Sequence, residues 1–202
     1  MNSMNPGEVE MKWLTFSLLF AAALVVAPAQ ADNVVVTGSE TLSGVIDGNV
    51  IVLDGGFASI FGATVEGNVI VHPGGGLDLT GGTIDGNVQV RGATVVAIGV
   101  ATINGNVQIS ESGSGEGIGL FANTILGNVQ LDNNDSFSIF VGFLLPSLGN
   151  TIFGNVEVTN NNVVVGPFVA FNDIDGNLIC SGNSPATTLD NNVVNGNIQC
   201  DD

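Results

Sequence analysis

The chain has 202 residues, 29 of them glycine, and its 19 Asp and Glu residues against 2 Lys and Arg residues give a formal net charge of −17. A hydrophobic share of 45% and a charged share of 10% differ from the polar, charge-rich composition of a disordered chain. Since almost no basic side chain is present to displace counterions from a phosphate backbone, the composition also excludes a nucleic-acid partner.

The N-terminal segment has the features of a secretory signal peptide. Lys12 is followed by an apolar run over residues 14–26 and then by an Ala-Gln-Ala site that ends at Ala31. A basic residue, an apolar stretch and an A-x-A site precede signal cleavage. The apolar run is shorter than the roughly 20 residues that span a bilayer. We therefore predict cleavage after Ala31 and no transmembrane helix in the exported protein.

This cleavage divides the chain into two parts. Residues 1–31 are an N-terminal extension plus signal peptide, and residues 32–202 form one domain that is secreted, periplasmic or held at the cell surface. Both Met1 and Met11 are compatible with this arrangement as the start, because residues 1–10 add no basic residue.

The exported region is organised by an internal repeat. Gly-Asn followed by an aliphatic residue occurs eight times, at separations of 19 to 27 residues. The repeat glycines are Gly48, Gly67, Gly86, Gly105, Gly127, Gly154, Gly176 and Gly196. Self-similarity at such a period is the sequence signature of a protein built from stacked repeats.

Apolar residues occupy the same places in every repeat. In the repeat of Gly86 they are Ile84, Val88 and Val90, with polar residues between them. Alternation with a period of two predicts a strand rather than a helix. A further inward pair follows about ten residues after the glycine, here Val96 and Ile98. Each repeat is therefore predicted to contribute three short strands.

The predicted fold is an all-β, single-stranded parallel β-helix of about eight coils, because one such repeat can bury its apolar residues only by stacking on its neighbours. A propeller would need repeats about twice as long, with hairpins. We prefer right-handed winding, the usual hand of connections between parallel strands.

The two cysteines test this register. Cys180 and Cys200 each stand four residues after a repeat glycine in successive coils. Stacking would place them at the strand spacing of roughly 4.8 Å, which a disulfide tolerates. We predict that they are bonded in the oxidising compartment of an exported protein.

The repeat Thr-Ile-x-Gly-Asn-Val-x-Val, at Thr83 to Val90 and Thr151 to Val158, resembles the Gly-Asn repeats of secreted bacterial β-helix proteins. It is similar, more distantly, to the repeat of bactofilins, which polymerise by end-to-end stacking of β-helices. Bactofilins are cytoplasmic and lack signal peptides, so their cytoskeletal role is not carried over to this chain. Pectate-lyase-type β-helices are a further distant resemblance.

Pectate lyases and their relatives carry sugar-active sites on the outer face of the β-helix. A polysaccharide lyase or hydrolase is therefore the alternative function. His72 is the only histidine, and Arg91 is the only basic residue after the signal peptide. Both stand five residues after a repeat glycine, so we predict that they are surface neighbours one coil apart. Without Tyr or, after cleavage, Trp to stack on a sugar ring, we expect them to be solvated and not catalytic.

Three acidic residues precede successive repeat glycines. They are Asp47, Glu66 and Asp85, called here the acidic column. Carboxylates stacked about 5 Å apart repel by roughly 1 kcal/mol in water, a cost that a calcium ion would remove. Calcium-dependent binding is therefore a third function. We favour a solvated stripe screened by salt and expect no cofactor.

The longest repeat contains an apolar insertion. It runs from Phe137 to Leu148 and includes Phe143, Leu144, Leu145 and Leu148. Such a segment either packs down on the solenoid or forms an exposed patch that marks a partner site. Because Pro146 and Gly142 suit a folded-back loop, we favour packing, and we keep the four apolar residues as the candidate docking site.

These observations predict an exported, acidic, non-enzymatic β-helix that acts as a scaffold. It would present its outer faces to a protein or cell-envelope partner. Both ends of a solenoid carry unpaired strand edges, so we also expect end-to-end self-association at high concentration.

Overall fold

The computed structural model describes residues 32–113, 116–143 and 145–200. This part of the chain is an all-β parallel solenoid of about eight turns, as the repeat predicted. Each turn contributes one strand to each of three sheets, called here sheets A, B and C. The predicted signal peptide lies outside the described residues.

The strands are short and recur in the order A, B, C. Sheet A contains Val34–Val36, Val50–Val52, Val69–Val71, Val88–Arg91, Val107–Ser110, Val129–Asp132, Val156–Thr159, Leu178–Ser181 and Ile198–Cys200. Sheet B contains Ser39–Leu42, Phe57–Phe61, Gly76–Thr80, Val95–Gly99, Ile118–Phe121, Ser138–Val141, Val165–Ala170 and Thr188–Asp190. Sheet C contains Val45–Ile46, Thr64–Val65, Thr83–Ile84, Thr102–Ile103, Thr124–Ile125, Thr151–Ile152, Asp173–Ile174 and Val193–Val194. A 3₁₀ helix, Pro146–Leu148, lies in the insertion.

The strand register is the one that the repeat predicts. Val88 pairs in parallel with Val69 of the coil before and Val107 of the coil after. The strands of sheet B pair in the same way, with Val96 opposite Leu77 and Ile118. The inward columns of all three sheets meet in one dry interior, where aliphatic side chains are almost wholly buried. Burial at roughly 1.5–3 kcal/mol per side chain makes this interior the main source of stability. The right-handed winding stays a prediction.

Asparagine ladders run along all three corners of the solenoid. At the Gly-Asn corner between sheets C and A, each Asn Oδ1 accepts the backbone N–H of the next asparagine at 2.7 to 2.9 Å, as at Asn49 and Asn68. A second ladder, Asn134, Asn161 and Asn183, follows the A–B corner. A third, Asn123, Asn150, Asn172 and Asn192, follows the B–C corner. The Gly-Asn repeat indicated the corner of the first ladder and none of its hydrogen bonds.

The ladders explain why the corners are fixed in shape. Asn123, Asn134, Asn150, Asn161 and Asn172 are almost fully buried, yet each donates Nδ2 to a main-chain carbonyl one coil back and to the next amide. A buried polar group is tolerated only when it is hydrogen-bonded. These amides also satisfy main-chain groups that leave the sheets at the corners.

The repeat glycine is required by close approach of two coils. A Cβ on Gly105 would lie 2.5 Å from the carbonyl oxygen of Gly86 and 2.7 Å from Oδ1 of Asn87. Successive coils can therefore stack at this corner only when the position carries no side chain.

The disulfide prediction is confirmed. Cys180 lies opposite Cys200 in sheet A, and the two are bonded with a Cα–Cα distance of 4.3 Å. The bond closes the last coil onto the one before it. Over the described ranges, the solenoid includes no helix with the length and apolar character needed to cross a bilayer.

Candidate functional site

Phenylalanine rings gather on the outer face of sheet B. Phe140 and Phe168 point outward from paired strands and stack with ring centroids 5.3 Å apart and planes 9° apart. The pairing contains a bulge, because Ser138 lies opposite Val165 whereas Phe140 lies opposite Phe168. The strand Val165–Ala170 therefore has one extra residue in this stretch, which includes Pro167.

Two more rings complete the group. Phe121 lies across Gly119, because a Cβ there would come within 2.7 Å of Cζ of the ring. Phe143 of the insertion packs edge-on against Phe121 at 5.9 Å and Phe140 at 5.3 Å between ring centroids. Edge-to-face and offset-stacked pairs are the favoured arrangements of aromatic rings. We call Phe121, Phe140, Phe143 and Phe168 the aromatic surface.

The first part of the insertion belongs to the solenoid, because its residues Ser138–Val141 form a strand of sheet B. The rest leaves the solenoid at the B–C corner and returns to it, and Gly142, where it leaves, has φ +73°, a conformation that favours glycine. At its end, Leu148 accepts a hydrogen bond from the Ala122 N–H at 3.1 Å. The loop is thus attached to the coil that precedes it.

The predicted docking residues differ in how far they are exposed. Phe143 and Leu148 are half-buried, Leu145 is 56% exposed, and Leu144 lies outside the described residues. The insertion therefore packs through Phe143 and still presents an apolar side chain. Its role in docking stays a prediction.

An apolar cleft opens beside the aromatic surface. Its volume is about 230 Å³, and we call it the Phe cleft. It is lined by Phe140, Phe143, Val165, Phe168 and Ala170. Phe137 and Val164 directly precede the two strands that line the cleft. They add apolar area there and are 52% and 74% exposed. Contiguous exposed apolar area of this kind marks an interaction site.

The charges around the cleft are all negative. Asp190 lies opposite Ala170 in sheet B, and Glu116 accepts the Phe137 N–H through its carbonyl, which places both acidic residues at the edges of the apolar area. No Lys, Arg or His follows Arg91 in the sequence. The surroundings of the cleft therefore favour a cationic or neutral ligand.

His72 and Arg91 are neighbours, as the repeat register requires. Both line one depression of about 430 Å³ on sheet A, together with Ile70, Gln89 and Ser110. Arg91 makes a two-pronged ion pair with Glu111, from Nε and Nη2 at 2.9 Å each. These hydrogen bonds, and then the carboxylate charge, raise the pKa of Arg91 above its usual value.

The residues of the acidic column are exposed and directly follow the C-terminal ends of three successive sheet C strands. It ends at Asn104, whose Nδ2 donates to Oδ1 of Asp85 at 2.8 Å. Within the described ranges, the structure contains no group of three or more His, Cys, Asp or Glu side chains that could hold a metal ion. Calcium binding by the column stays a prediction.

Sequence reasoning missed the lining of the Phe cleft. Phe140 and Phe168 each stand one residue before an inward valine, Val141 and Val169, in successive coils. Aligning the sheet B strands of successive coils on these valines would have placed both rings outward. The bulge and the small residue at position 170 left no comparable signal.

Comparison with known proteins gives no relative: no family model, no curated protein and no solved structure matches the chain.

Proposed function

We propose that this chain is an exported, non-enzymatic β-helix scaffold of the Gly-Asn repeat type, which binds a protein or cell-envelope partner through the aromatic surface. The observation that carries the proposal is the open Phe cleft beside four packed rings. The four rings are half-buried, and a partner that covers their remaining exposed area removes that apolar surface from water.

The scaffold supports binding by holding the rings in place. The strands that carry Phe140 and Phe168 lie between neighbours on both sides, and the buried asparagine ladder at the B–C corner fixes where each strand ends. A preformed surface loses little conformational entropy on binding. The site therefore needs no rearrangement to accept a partner.

Two further features support export and a binding role. A disulfide between Cys180 and Cys200 is the form that thiols take in oxidising compartments. Arg91, the single arginine of the sequence, donates two hydrogen bonds to the carboxylate of Glu111. Its guanidinium group is therefore already paired within the protein. Both features agree with a surface protein whose polar groups serve its own structure.

A photo-crosslinking experiment tests the proposal. A photoreactive residue is introduced at the exposed Leu145, two residues after Phe143 of the aromatic surface, and in a second variant at Glu157 on sheet A. In the organism that makes the protein, we expect discrete adducts from position 145 and few from position 157. Equal adducts from both positions, or none from position 145, would contradict binding through this surface.

The carbohydrate-active alternative has one observation in its favour, the shared depression at His72 and Arg91. It predicts release of unsaturated or shortened sugars from acidic polysaccharides, lost in Arg91→Ala. Under the scaffold proposal, the wild-type protein and Arg91→Ala release no sugar products.

End-to-end assembly remains part of the proposal. At the C-terminal end of the described solenoid, Val193 and Ile198 are exposed, and their strands lie at the edges of sheets C and A. Light scattering over a range of concentrations should show a rising mass. A constant monomeric mass would refute this part.

A further inference from the structure

We propose that the Phe cleft receives one aromatic side chain of a partner segment that carries lysine or arginine on both sides of that ring. The inference rests on the proposed function and names the chemistry of the partner. It is drawn from the size of the cleft, its lining and the charges at its two edges.

The size of the cleft suits a single ring. An apolar cavity of about 150 Å³ is large enough to hold benzene, whereas drug-sized ligands occupy pockets of about 300–1,000 Å³. At about 230 Å³, the Phe cleft lies between these values. A cleft of this size is large enough for a phenyl or indole group.

The lining selects an aromatic group over an aliphatic one. Three of the five lining residues are phenylalanines, Phe140, Phe143 and Phe168, and Phe143 already meets Phe140 edge-on. A further ring can therefore stack on one phenyl group and meet another at its edge. Such aromatic pairs add about 0.5–1.5 kcal/mol beyond the buried area.

The charges select the flanking residues. Asp190 lies beside Ala170 at the C-terminal edge of the cleft strands. Glu116 and Asp135 lie at the other edge, where Glu116 bonds to Phe137 through its carbonyl and Asp135 accepts a side-chain hydrogen bond from Asn162. With a chain charge of −17, an acidic partner or an anionic membrane surface is repelled. Basic residues on both sides of the inserted ring would meet these carboxylates.

The same charges argue against a second copy. Two copies packed through their aromatic surfaces would bring their acidic edges together, with no basic residue after Arg91 to compensate. Like charges juxtaposed at an interface disfavour association. A cationic segment would be attracted to the acidic edges of the cleft, whereas a second copy would be repelled by them.

Fluorescence anisotropy with three labelled peptides tests the inference. The first peptide carries one tryptophan flanked by lysines, the second has alanine in place of tryptophan, and the third has glutamates in place of the lysines. Titrated with the purified protein, the first should bind at least about tenfold more tightly than either control. Equal affinity for the alanine or the glutamate peptide would overturn the inference.

Two substitutions tie the binding to the cleft. Ala170→Phe places a ring in the cleft and should abolish peptide binding, whereas Phe61→Ala, an exposed phenylalanine elsewhere on sheet B, should leave it unchanged. Equal melting temperatures verify that both variants fold. If Ala170→Phe unfolds the protein, Val165→Lys at the partly exposed side of the cleft is the second test and should also lower affinity. Unchanged affinity in the folded variant refutes the site.

Charge is tested separately. Asp190→Asn should weaken binding about two- to fivefold, the range of one exposed ion pair, and Glu157→Gln on sheet A should not. Equal losses from both variants would show that only net charge matters, and would overturn the specific placement.

Two other occupants are outcomes of the same experiment. Binding of anionic vesicles that Ala170→Phe abolishes would assign the cleft to a membrane, and self-association that Ala170→Phe abolishes would assign it to a second copy. Either result overturns the cationic partner. If the crosslink at position 145 persists while the lysine–tryptophan peptide does not bind, the partner chemistry is wrong and the scaffold function stands.

Discussion

Removal of one amide from a buried ladder should destabilise the solenoid severely. Asn150 is 1% exposed; its Oδ1 accepts the N–H and Nδ2 of Asn123 at 3.0 Å, and its Nδ2 donates to Leu120 O and Asn172 Oδ1 at 2.9 Å. Asn150→Ala deletes all four hydrogen bonds and leaves the Asn123 N–H without this partner.

The magnitude follows from these contacts. A buried donor left unsatisfied costs about 1–3 kcal/mol, and each of the other lost hydrogen bonds contributes about 0.5–1.5 kcal/mol. The central values add up to about 5 kcal/mol. For a domain of this size, 1 kcal/mol corresponds to roughly 2–4 °C in Tm, so the variant should melt roughly 10–20 °C lower.

Thermal unfolding followed by circular dichroism measures the effect. Asn104→Ala is the matched control, because Asn104 is exposed and its side chain bonds only to Asp85 among the hydrogen bonds described. Its Tm should change by no more than about 2 °C, since exposed substitutions usually cost under about 0.5 kcal/mol. If the two variants melt within a few degrees of each other, the buried ladder does not hold the corner.

Three further perturbations probe other parts of the solenoid. Reduction of the disulfide, or Cys180→Ser with Cys200→Ser, should cost roughly 3 kcal/mol for a loop of this length; an unchanged Tm in reductant would contradict this. Gly105→Ala should destabilise far more than Gly99→Ala, because a Cβ meets Gly86 O at 2.5 Å in the first case and its nearest neighbour at 3.7 Å in the second; equal urea midpoints would refute the close-approach argument. Neutralising all three residues of the acidic column should raise Tm by a few degrees at low salt and hardly at all in molar salt, because screening removes the repulsion; a lower Tm together with loss of a calcium-induced rise would instead assign the column to a metal.

Much of the fold could be read from the repeat because each coil has the same short-range pattern. Val88 and Val90 alternate with polar residues and point inward, and the same columns recur at every repeat glycine. Stacking identical units aligns identical positions, so the register of Cys180 and Cys200 followed directly. The positions of His72 and Arg91 in one depression followed in the same way.

The two further asparagine ladders keep a fixed offset from the repeat glycine, so aligning the repeats would have shown their columns but not their hydrogen bonds. Asn123, Asn150 and Asn172 each stand four residues before a repeat glycine. In a glycine- and asparagine-rich chain, each is locally indistinguishable from a turn residue. Only the stacked coils bring one amide within hydrogen-bonding distance of the next.

What the residues determine alone is the coil: a period, three inward faces and a Gly-Asn bend. What the tertiary structure decided is the aromatic surface. Phe140 and Phe168 are 28 positions apart in a chain whose regular repeat is 19, and their stacking depends on a bulge between the paired strands. Phe143 reaches the same place only because the insertion folds back toward Phe121. An outward ring has the same local sequence pattern whether it meets water or three other rings, because its neighbours come from other coils.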